Sequence, residues 1–200
     1  MNIRQGNLLL RSSGAGRRHL TQDVHFKVAG PVINQINAAF SADWHFAASE
    51  NLNLPQWREV DSTRAVYARV LLDGPDDNYQ KLSLTMLGAI QAAEYRVQIV
   101  SPYFLPGPTV LSALHLAYLR GVRVDLCIPQ TSNLPFVGWA MRANYQELLG
   151  KGVNVYESAS PFDHSKLFLI DDYWCMIGSS NWDARSLELN FEINLGPVIN

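Results

Sequence analysis

The segment His164-Ser-Lys166-Leu-Phe-Leu-Ile-Asp171, followed by Gly178-Ser179-Ser-Asn181, sets six polar or turn-forming residues at fixed offsets around two apolar runs. The pattern reads H-x-K-x4-D-x6-G-S-x-N. A lone histidine at the start of a strand is usually an ordinary surface or core residue, and a lone lysine is usually solvated. Packing gives no reason for both to stand two residues apart before a Gly-Ser-x-Asn turn, so the pattern indicates a catalytic site.

The two apolar runs around this motif predict a β-hairpin. Successive side chains of a strand alternate between its two faces, so His164 and Lys166 project to the same side. Asp171 begins the turn, and the second run ends at Gly178, beside the start of its partner strand. The hairpin therefore brings the side chains that follow Gly178 close to His164 and Lys166.

These side chains suit chemistry at a phosphodiester. An imidazole can attack phosphorus and carry a covalent phosphoryl group, which makes His164 the candidate nucleophile. The Lys166 ammonium can bind the non-bridging oxygens and stabilise their charge in the transition state. The hydroxyl of Ser179 and the amide of Asn181 supply further hydrogen-bond donors for those oxygens.

The segment resembles the motif of the phospholipase D superfamily, and its surroundings resemble bacterial cardiolipin synthases. The resemblance extends over nearly the whole chain through pieces that are less specific than the motif. These pieces are Leu72-Asp-Gly-Pro-Asp76, Ser101-Pro-Tyr-Phe-Leu105, Arg120-Gly-Val-Arg-Val124, Gly152-Val-Asn-Val-Tyr156, Asn181-Trp-Asp-Ala-Arg-Ser186, Asn190-Phe-Glu192, and residues 23–31 with Asp43-Trp44. The resemblance implies a phospholipase D-like fold and a phosphatidyltransferase.

Members of this family carry the motif twice, and the two copies build one site. Here the second copy is complete, whereas Met1-Asn2-Ile-Arg4 resembles the last residues of a first copy. We therefore expect residues 1–62 to be a remnant of the first half with a connector, and residues 63–200 to form the second, catalytic domain. The resemblance implies an internal fragment, or a chain begun at an internal methionine, that needs a second motif-bearing half or a homodimer.

The resemblance assigns roles to two further acids. Glu192 stands where the superfamily has an acid that hydrogen-bonds the nucleophilic histidine and fixes its tautomer. The alternative is a surface glutamate, although a glutamate at an apolar strand is costly unless it is paired. Asp171 is expected to hold the hairpin through backbone hydrogen bonds and not to touch the substrate.

The alternation of strand and helix signals predicts an α/β fold. Strand-like runs at 65–72, 97–100 and 122–128 alternate with helical patterns near 84–90, 108–118 and 136–149. This order favours a mixed, largely parallel sheet flanked by helices, to which the His164 hairpin adds antiparallel strands. Before this region, the sequence predicts a polar loop over residues 1–20, a short amphipathic helix over 31–40, and a connector over 45–64.

Composition narrows the class of protein. Two hundred residues, 48% of them hydrophobic, can bury one substantial core. A net charge of −2 argues against a nucleic-acid partner, whose binding domains are usually basic. Cys127 and Cys175 fall in apolar runs and are expected to be reduced core residues. We expect no cofactor and no metal, because no zinc-type spacing occurs and because histidine and lysine supply the positive charge.

Membrane contact is expected to be peripheral, at a bacterial cell membrane. No run approaches the roughly 18 apolar residues of a transmembrane helix, and no signal-peptide pattern is present. The basic stretch Ser12–Arg18 could contact phosphate, although a solvated loop is more usual for such a composition. Residues Phe136, Trp139, Met141 and Tyr145 could face lipid, although a stripe at helical spacing is more often core.

Two other groups of residues have alternatives that the sequence leaves open. Tyr103 lies at the carboxyl end of a strand, where α/β proteins bind ligands, so lining a pocket and simple packing are equal alternatives. Asp76 and Asp77 precede a helix, where capping is the usual role, although the family resemblance implies that this segment lies near the lipid headgroup.

The reaction that the resemblance implies is the conversion of two phosphatidylglycerol molecules to cardiolipin and glycerol through a covalent phosphohistidine. In that scheme His164 attacks, a histidine of the first copy protonates the leaving alcohol, and which half holds the nucleophile stays open. The alternatives are a nuclease or phosphodiesterase of the same superfamily, or a fragment that is inactive without its partner half.

Overall fold

The computed structural model describes residues 2–12, 19–57, 66–76 and 78–199. The strands of this part are β1 (Asn2–Ser12), β2 (His19–Ala29), β3 (Tyr67–Asp73), β4 (Arg96–Val100), β5 (Phe104–Leu105), β6 (Arg123–Pro129), β7 (Val153–Ser158), β8 (Phe162–Asp163), β9 (Leu167–Ile170), β10 (Trp174–Gly178), β11 (Trp182–Asp183) and β12 (Glu192–Ile199). The helices are α1 (Val32–Ala48), α2 (Lys81–Ala92), α3 (Pro108–Leu119), α4 (Pro135–Ala143), α5 (Tyr145–Gly150) and α6 (Ala184–Glu188).

A seven-stranded mixed sheet forms the centre, in the order β3-β12-β10-β9-β4-β6-β7. The predicted α/β class, with helices flanking a mixed sheet, is confirmed. The expectation of a largely parallel sheet is corrected, because within this sheet parallel pairing is confined to β4, β6 and β7. The β9–β10 hairpin lies between β4 and β12 in the middle of the sheet, and β12 continues antiparallel to β3. A short turn can join only antiparallel neighbours, so this insertion makes the pairing mostly antiparallel.

The main core lies between this sheet and the helices α2 and α3. On α2, Leu82, Met86 and Ile90 recur at intervals of four residues and are at most 1% exposed. This spacing forms one face of a helix, and it packs against buried strand residues such as Ile99 and Phe168. Leu84, which the sequence pattern suggested for this face, points outward. Among the described residues, none of the helices is both long and apolar enough to cross a bilayer.

The N-terminal region differs from the sequence prediction. Residues 2–12 form β1, paired with β2, where a loop was expected. The basic residues Arg17 and Arg18 lie outside the described part of the chain. Helix α1 continues to Ala48, into the predicted connector, because residues 41–48 contain no glycine or proline that would end it. The sequence pattern did not predict this extension, because most of these residues are exposed and show no apolar stripe.

A second, smaller core joins this region to the opposite face of the sheet. Val32 of α1 is buried with Ile177 of β10 and Leu195 of β12, and Phe26, Val28 and other apolar side chains surround them. Met176, the neighbour of Ile177, belongs to the main core instead, as the alternation of a strand requires. The N-terminal hairpin is thereby held against the same strands that carry the motif.

The predicted helix over 136–149 is two helices, α4 and α5, which are separated at Asn144. Asparagine is a weak helix former, and the Asn144 amide donates to the carbonyl of Met141, three residues back, which tightens the turn. Both Met141 and Leu148 are buried in the main core. The break therefore lets each short helix turn its own apolar face inward.

Candidate active site

Strand pairing brings an acid from the N-terminal hairpin to the motif histidine. Strand β8 pairs in parallel with β2, and the His164 amide donates to the carbonyl of Gln22 at 2.8 Å. Asp23, the next residue of β2, places Oδ2 3.5 Å from His164 Nδ1. Asp23 was not among the site residues that the sequence predicted, and the signal for it was its place in a flanking segment of the family resemblance.

Lys166 contacts both nitrogens of the His164 ring. Its Nζ lies 3.1 Å from Nδ1 and 3.3 Å from Nε2, and it donates to the His164 carbonyl at 2.7 Å. Both residues precede β9, which begins at Leu167, so the expected position at the start of a strand is shifted slightly. The structure nevertheless brings the two side chains together.

The electrostatics of this pair favour a neutral imidazole beside a cation. Burial lowers the pKa of His164, the positive charge of Lys166 lowers it further, and Asp23 opposes both effects. Burial also lowers the pKa of Lys166 to about 8, against the charges of Asp23 and Glu192, which raise it. At neutral pH the ring can therefore act as a nucleophile while Lys166 remains mostly protonated.

Gly178 is required because strand β12 passes very close to it. A Cβ at this position would lie 2.2 Å from Asn194 Oδ1 and 2.6 Å from the carbonyl oxygen of Ile193. Asn194 also donates to Ser180 Oγ at 2.8 Å and is 3% exposed. Sequence reasoning missed Asn194, although a polar residue in the middle of an apolar strand was a signal for it.

Glu192 contacts Ser179 where the sequence predicted a contact with His164. The Ser179 hydroxyl donates to Glu192 Oε2, and Asn190 Nδ2 donates to Oε1 at 3.1 Å. The reason is topological. Strand β12 pairs with β10, which sets Glu192 beside the residue after Gly178, whereas the pairing of β8 with β2 supplies Asp23 to His164.

Asn181 is held by the first turn of α6. Asp183 caps this helix by accepting from the amides of Arg185 and Ser186 at 3.0 and 3.1 Å. Asn181 Nδ2 donates to Ser186 Oγ at 3.2 Å, while its buried Oδ1 has no hydrogen-bond partner within the described chain. If the two ends of the amide exchange, Ser186 can donate to Oδ1 and Nδ2 is left free as a donor.

Asp171 acts on the backbone, as expected, and the structure shows which backbone. Its carboxylate accepts from the amides of Glu94, Tyr95 and Arg96 at 3.0, 2.8 and 2.8 Å, at the entry to β4. Burial works against its charge, but these amides outweigh burial and lower its pKa. The residue thus ties the hairpin turn to the neighbouring strand and makes no contact with His164.

Two aromatic rings line the site beside His164. The Tyr103 ring lies edge-on at 6.3 Å from the imidazole, and Phe162 lies at 5.9 Å. Tyr103 also packs against Phe162 at 6.1 Å and donates its hydroxyl to Asn133 Oδ1 at 2.6 Å. Both alternatives for Tyr103 therefore apply, since it packs and also faces the site.

An apolar cavity of about 270 Å³ lies at the second core. Apolar side chains of β2, α1, β3 and β12 form most of its wall, among them Phe26, Ile36 and Val70. Its lining residue Val24 follows Asp23 on β2, and the alternation of a strand turns these two side chains to opposite faces.

The remaining candidates lie apart from this centre. Asp76 accepts from the amide of Asn78 at 2.8 Å and so forms a turn, and it does not cap α2. Asp77 lies outside the described residues. Cys127 and Cys175 are free, but they are half-buried where core positions were expected, and burial raises the pKa of both thiols.

Comparison with known proteins gives a family and close relatives. Residues 86–196 match the family described as cardiolipin synthase, PLD-like domain. Cardiolipin synthase A of Pseudomonas fluorescens is 40% identical over 179 residues, which are 88% of this chain and 37% of that protein. Cardiolipin synthase 2 of Staphylococcus epidermidis is 35% identical over 176 residues, or 86% of this chain and 36% of the relative. The chain thus spans little more than a third of the length of these relatives.

Solved structures share the fold at low sequence identity. Nuc from Salmonella typhimurium, described as a phospholipase D family member, matches with a TM-score of 0.55 and 21% identity over 68% of this chain and 84% of that one. The phosphatidylserine synthase of Haemophilus influenzae matches with a TM-score of 0.62 and 15% identity over 90% of this chain and 51% of that one. These likenesses establish a phospholipase D-like fold.

Proposed function

The chain belongs to the cardiolipin synthase family of phospholipase D-like domains, and from that membership we propose that it transfers a phosphatidyl group between phospholipids through a covalent phosphohistidine. The preferred reaction converts two phosphatidylglycerol molecules to cardiolipin and glycerol. The contact of Lys166 with both ring nitrogens of His164, with Asp23 on Nδ1, is the observation that carries the proposal.

In the first step, His164 attacks the phosphorus of the donor lipid. Asp23 faces Nδ1 and accepts a hydrogen bond from its N–H, which keeps the proton on Nδ1 and leaves the lone pair of Nε2 for attack. A bond forms between Nε2 and phosphorus, and the bond between phosphorus and the oxygen of the headgroup glycerol breaks. An acid protonates the leaving alkoxide. In the second step, the group that acted as the acid, now deprotonated, takes the proton of the acceptor lipid's hydroxyl; the hydroxyl oxygen bonds to phosphorus, and the bond between phosphorus and Nε2 breaks, which frees His164.

The phosphoryl oxygens are stabilised by groups that surround the imidazole. Lys166 supplies the positive charge, and Asn181 Nδ2 supplies a donor when Ser186 holds the other end of the amide. We assign the same stabilising role to Ser179, whose hydroxyl donates to Glu192. Asp171 keeps its structural role in this scheme.

A second histidine is needed to protonate the leaving alcohol. Among the described residues, His164 is the histidine that contacts Lys166 and Asp23, so we propose that the acid comes from another motif-bearing half or from a second copy of the chain. We correspondingly assign residues 1–62 to the end of a first unit and residues 63–200 to the second. We propose that the two motif-bearing units act together at the surface of a bacterial cell membrane.

A phospholipid is favoured over a nucleic acid as the substrate. The chain has a net charge of −2, and relatives that are 35–40% identical are named cardiolipin synthases. A nuclease of the same superfamily is the alternative that these observations disfavour.

Trapping the intermediate tests the proposal. The purified chain is mixed with phosphatidylglycerol that is labelled in its phosphate, and the reaction is then quenched. The modified residue is located by mass spectrometry on samples kept at neutral or alkaline pH. We expect the adduct on His164, its loss in His164→Ala, and its retention in the control His115→Ala, because His115 contacts the Lys151 carbonyl instead of the site. An adduct that persists in His164→Ala would move the nucleophile elsewhere, and cleavage of DNA without action on lipid would favour the nuclease.

A further inference from the structure

Helix α4 and the residue before it expose a group of large apolar side chains. Phe136 is 79% exposed, Trp139 is 62% exposed, and Leu134 is 49% exposed. The rings of Phe136 and Trp139 lie edge to face at 5.3 Å, so they form one continuous surface. We refer to Leu134, Phe136 and Trp139 as the α4 patch.

Helix α4 also has a buried face, so the exposure of the α4 patch is not explained by a failure of the helix to pack. Met141 is 3% exposed in the main core, and Val137 packs against the same core. The four residues that the sequence suggested as one lipid-facing stripe therefore have different environments. Met141 points inward, and Tyr145 is partly buried and donates to Glu157, whereas Phe136 and Trp139 point outward. Contiguous apolar residues that stay exposed after the core is filled usually mark an interaction surface.

The charge around the α4 patch suits an anionic partner. Helix α4 itself carries one charged side chain, Arg142, and no carboxylate; the carboxylate that the contacts place nearby is Glu157, which accepts from Tyr145. Arg142 is exposed, donates to the carbonyl of Gln130 at 2.6 Å, and follows Trp139 by three residues, so it lies near the same face of the helix. Aromatic residues beside a cation are typical of helices that lie in the headgroup region of a bilayer.

The α4 patch is connected to the catalytic centre. The Tyr103 ring packs edge-on against His164, and the Tyr103 hydroxyl donates to Asn133 Oδ1. Asn133 directly precedes Leu134, the first residue of the patch. A surface that holds Leu134 at a bilayer would therefore hold His164 close to the lipid headgroups.

We propose that the α4 patch, together with Arg142, docks the protein onto an anionic phospholipid bilayer. Phe136 and Trp139 enter the headgroup region, Arg142 contacts lipid phosphates, and the site faces the lipids that it acts on. The inference rests on the proposed phospholipid substrate. It adds the surface through which that substrate is reached.

Vesicle binding by the full chain tests this inference. The probes are vesicles of phosphatidylglycerol mixed with phosphatidylcholine, and vesicles of phosphatidylcholine alone. We expect the double variant Phe136→Ser/Trp139→Ser to bind the mixed vesicles about tenfold more weakly or worse, since two aromatic side chains leave the interface. Arg142→Gln is expected to lose about fivefold, and only on the anionic vesicles.

The control removes apolar side chains of similar exposure from another helix. Leu116 and Leu119 of α3 are 50% and 64% exposed, and Leu116→Ser/Leu119→Ser is expected to bind vesicles as the wild type does. Circular dichroism checks that each variant is folded. His164→Ala separates this inference from the proposed function, because it should bind vesicles normally while forming no adduct.

Three outcomes would overturn the inference. The wild type could fail to bind anionic vesicles, or the patch variant could bind them as well as the wild type does. The patch variant could also change the mass of the protein in solution without changing vesicle binding, in which case the α4 patch is a protein interface. None of these results depends on whether the phosphohistidine forms.

Discussion

At the scale of single residues, the position of Lys166 Nζ sets the chemistry of His164. An ammonium within 3.3 Å of both ring nitrogens disfavours a protonated imidazole, and burial acts in the same direction. The same burial makes the lysine charge itself costly, since its pKa falls to about 8. A neutral His164 and a protonated Lys166 are therefore both present only in a limited range of pH.

The first prediction concerns that range. The rate of adduct formation should rise as His164 deprotonates, at a pH below the 6.5 of an ordinary histidine, and should fall above about 8 as Lys166 loses its proton. Initial rates between pH 5 and pH 10 measure both limbs. In Lys166→Arg the alkaline limb should disappear, because a guanidinium stays charged. An alkaline limb that persists in this variant belongs to another group.

The second prediction concerns Asp23. Replacing it with asparagine removes the negative charge that faces His164 Nδ1, so the rate of adduct formation should fall by about 100-fold. The acidic limb of the pH profile should move to lower pH, since Asp23 raises the pKa of His164. Asp43→Asn, on the exposed side of α1, is the matched control. A reduced rate with an unmoved limb would mean that Asp23 acts on folding alone.

At the scale of secondary-structure elements, the β9–β10 hairpin is positioned by groups outside it. Asp171 binds three amides at the entry to β4, and Gly178 leaves room for β12. Asp171 itself has a φ of +51°, a left-handed conformation that aspartate and asparagine tolerate better than most residues. The motif residues therefore depend on the strands on both sides of the hairpin.

The third prediction tests the Asp171 contacts. Asp171→Ala should lower the free energy of unfolding by about 3 kcal/mol, because three amides lose a charged acceptor. Asp171→Asn keeps the shape and tolerates the backbone conformation, so it should cost less. Urea unfolding at neutral pH provides the comparison.

The pH dependence of this stability has a definite sign. The folded-state pKa of Asp171 lies below the ordinary 3.8, so its contribution is present above that pH and is lost as the pH falls through the lower, folded value. The difference between wild type and Asp171→Asn should therefore narrow below pH 3.8. A difference that is constant down to acid unfolding would contradict the assigned role.

At the scale of the whole molecule, the site combines residues from two regions. The hairpin of β1 and β2 supplies Asp23, and the second core of Val32, Ile177 and Leu195 holds that hairpin against the sheet. Glu192 and Ser179 form a further pair on the other side of the motif. In the part of the chain that the structure describes, His164 is the histidine that contacts Lys166 and Asp23, whereas the proposed reaction needs a nucleophile and an acid, which is why a second histidine was proposed.

The fourth prediction follows from that requirement. If two copies of the chain share one site, the rates of adduct formation and of cardiolipin formation should both rise with the square of protein concentration at low concentration, because the first step already needs the acid of the second copy. Light scattering at the same concentrations gives the mass of the active species. Turnover by a monomer at a constant rate per molecule would contradict the need for a second histidine.

The sequence by itself determined the local part of this site. His164 and Lys166 are two residues apart, so the alternation of an extended chain is enough to set them side by side. The presence of helices at α2 and α3 is likewise visible as patterns of neighbouring residues. The alternation of strand and helix signals predicted the α/β class.

Tertiary structure alone decided the partners of these residues. Asp23 reaches His164, Glu192 reaches Ser179, and Asp171 reaches the entry to β4 through pairings between segments far apart in the chain. The order of the sheet, with the hairpin inside it, and the exposure of Phe136 and Trp139 were also set at this level. The physical reason is that local patterns encode which face of an element is apolar, whereas the element that covers that face is selected by packing over the whole molecule.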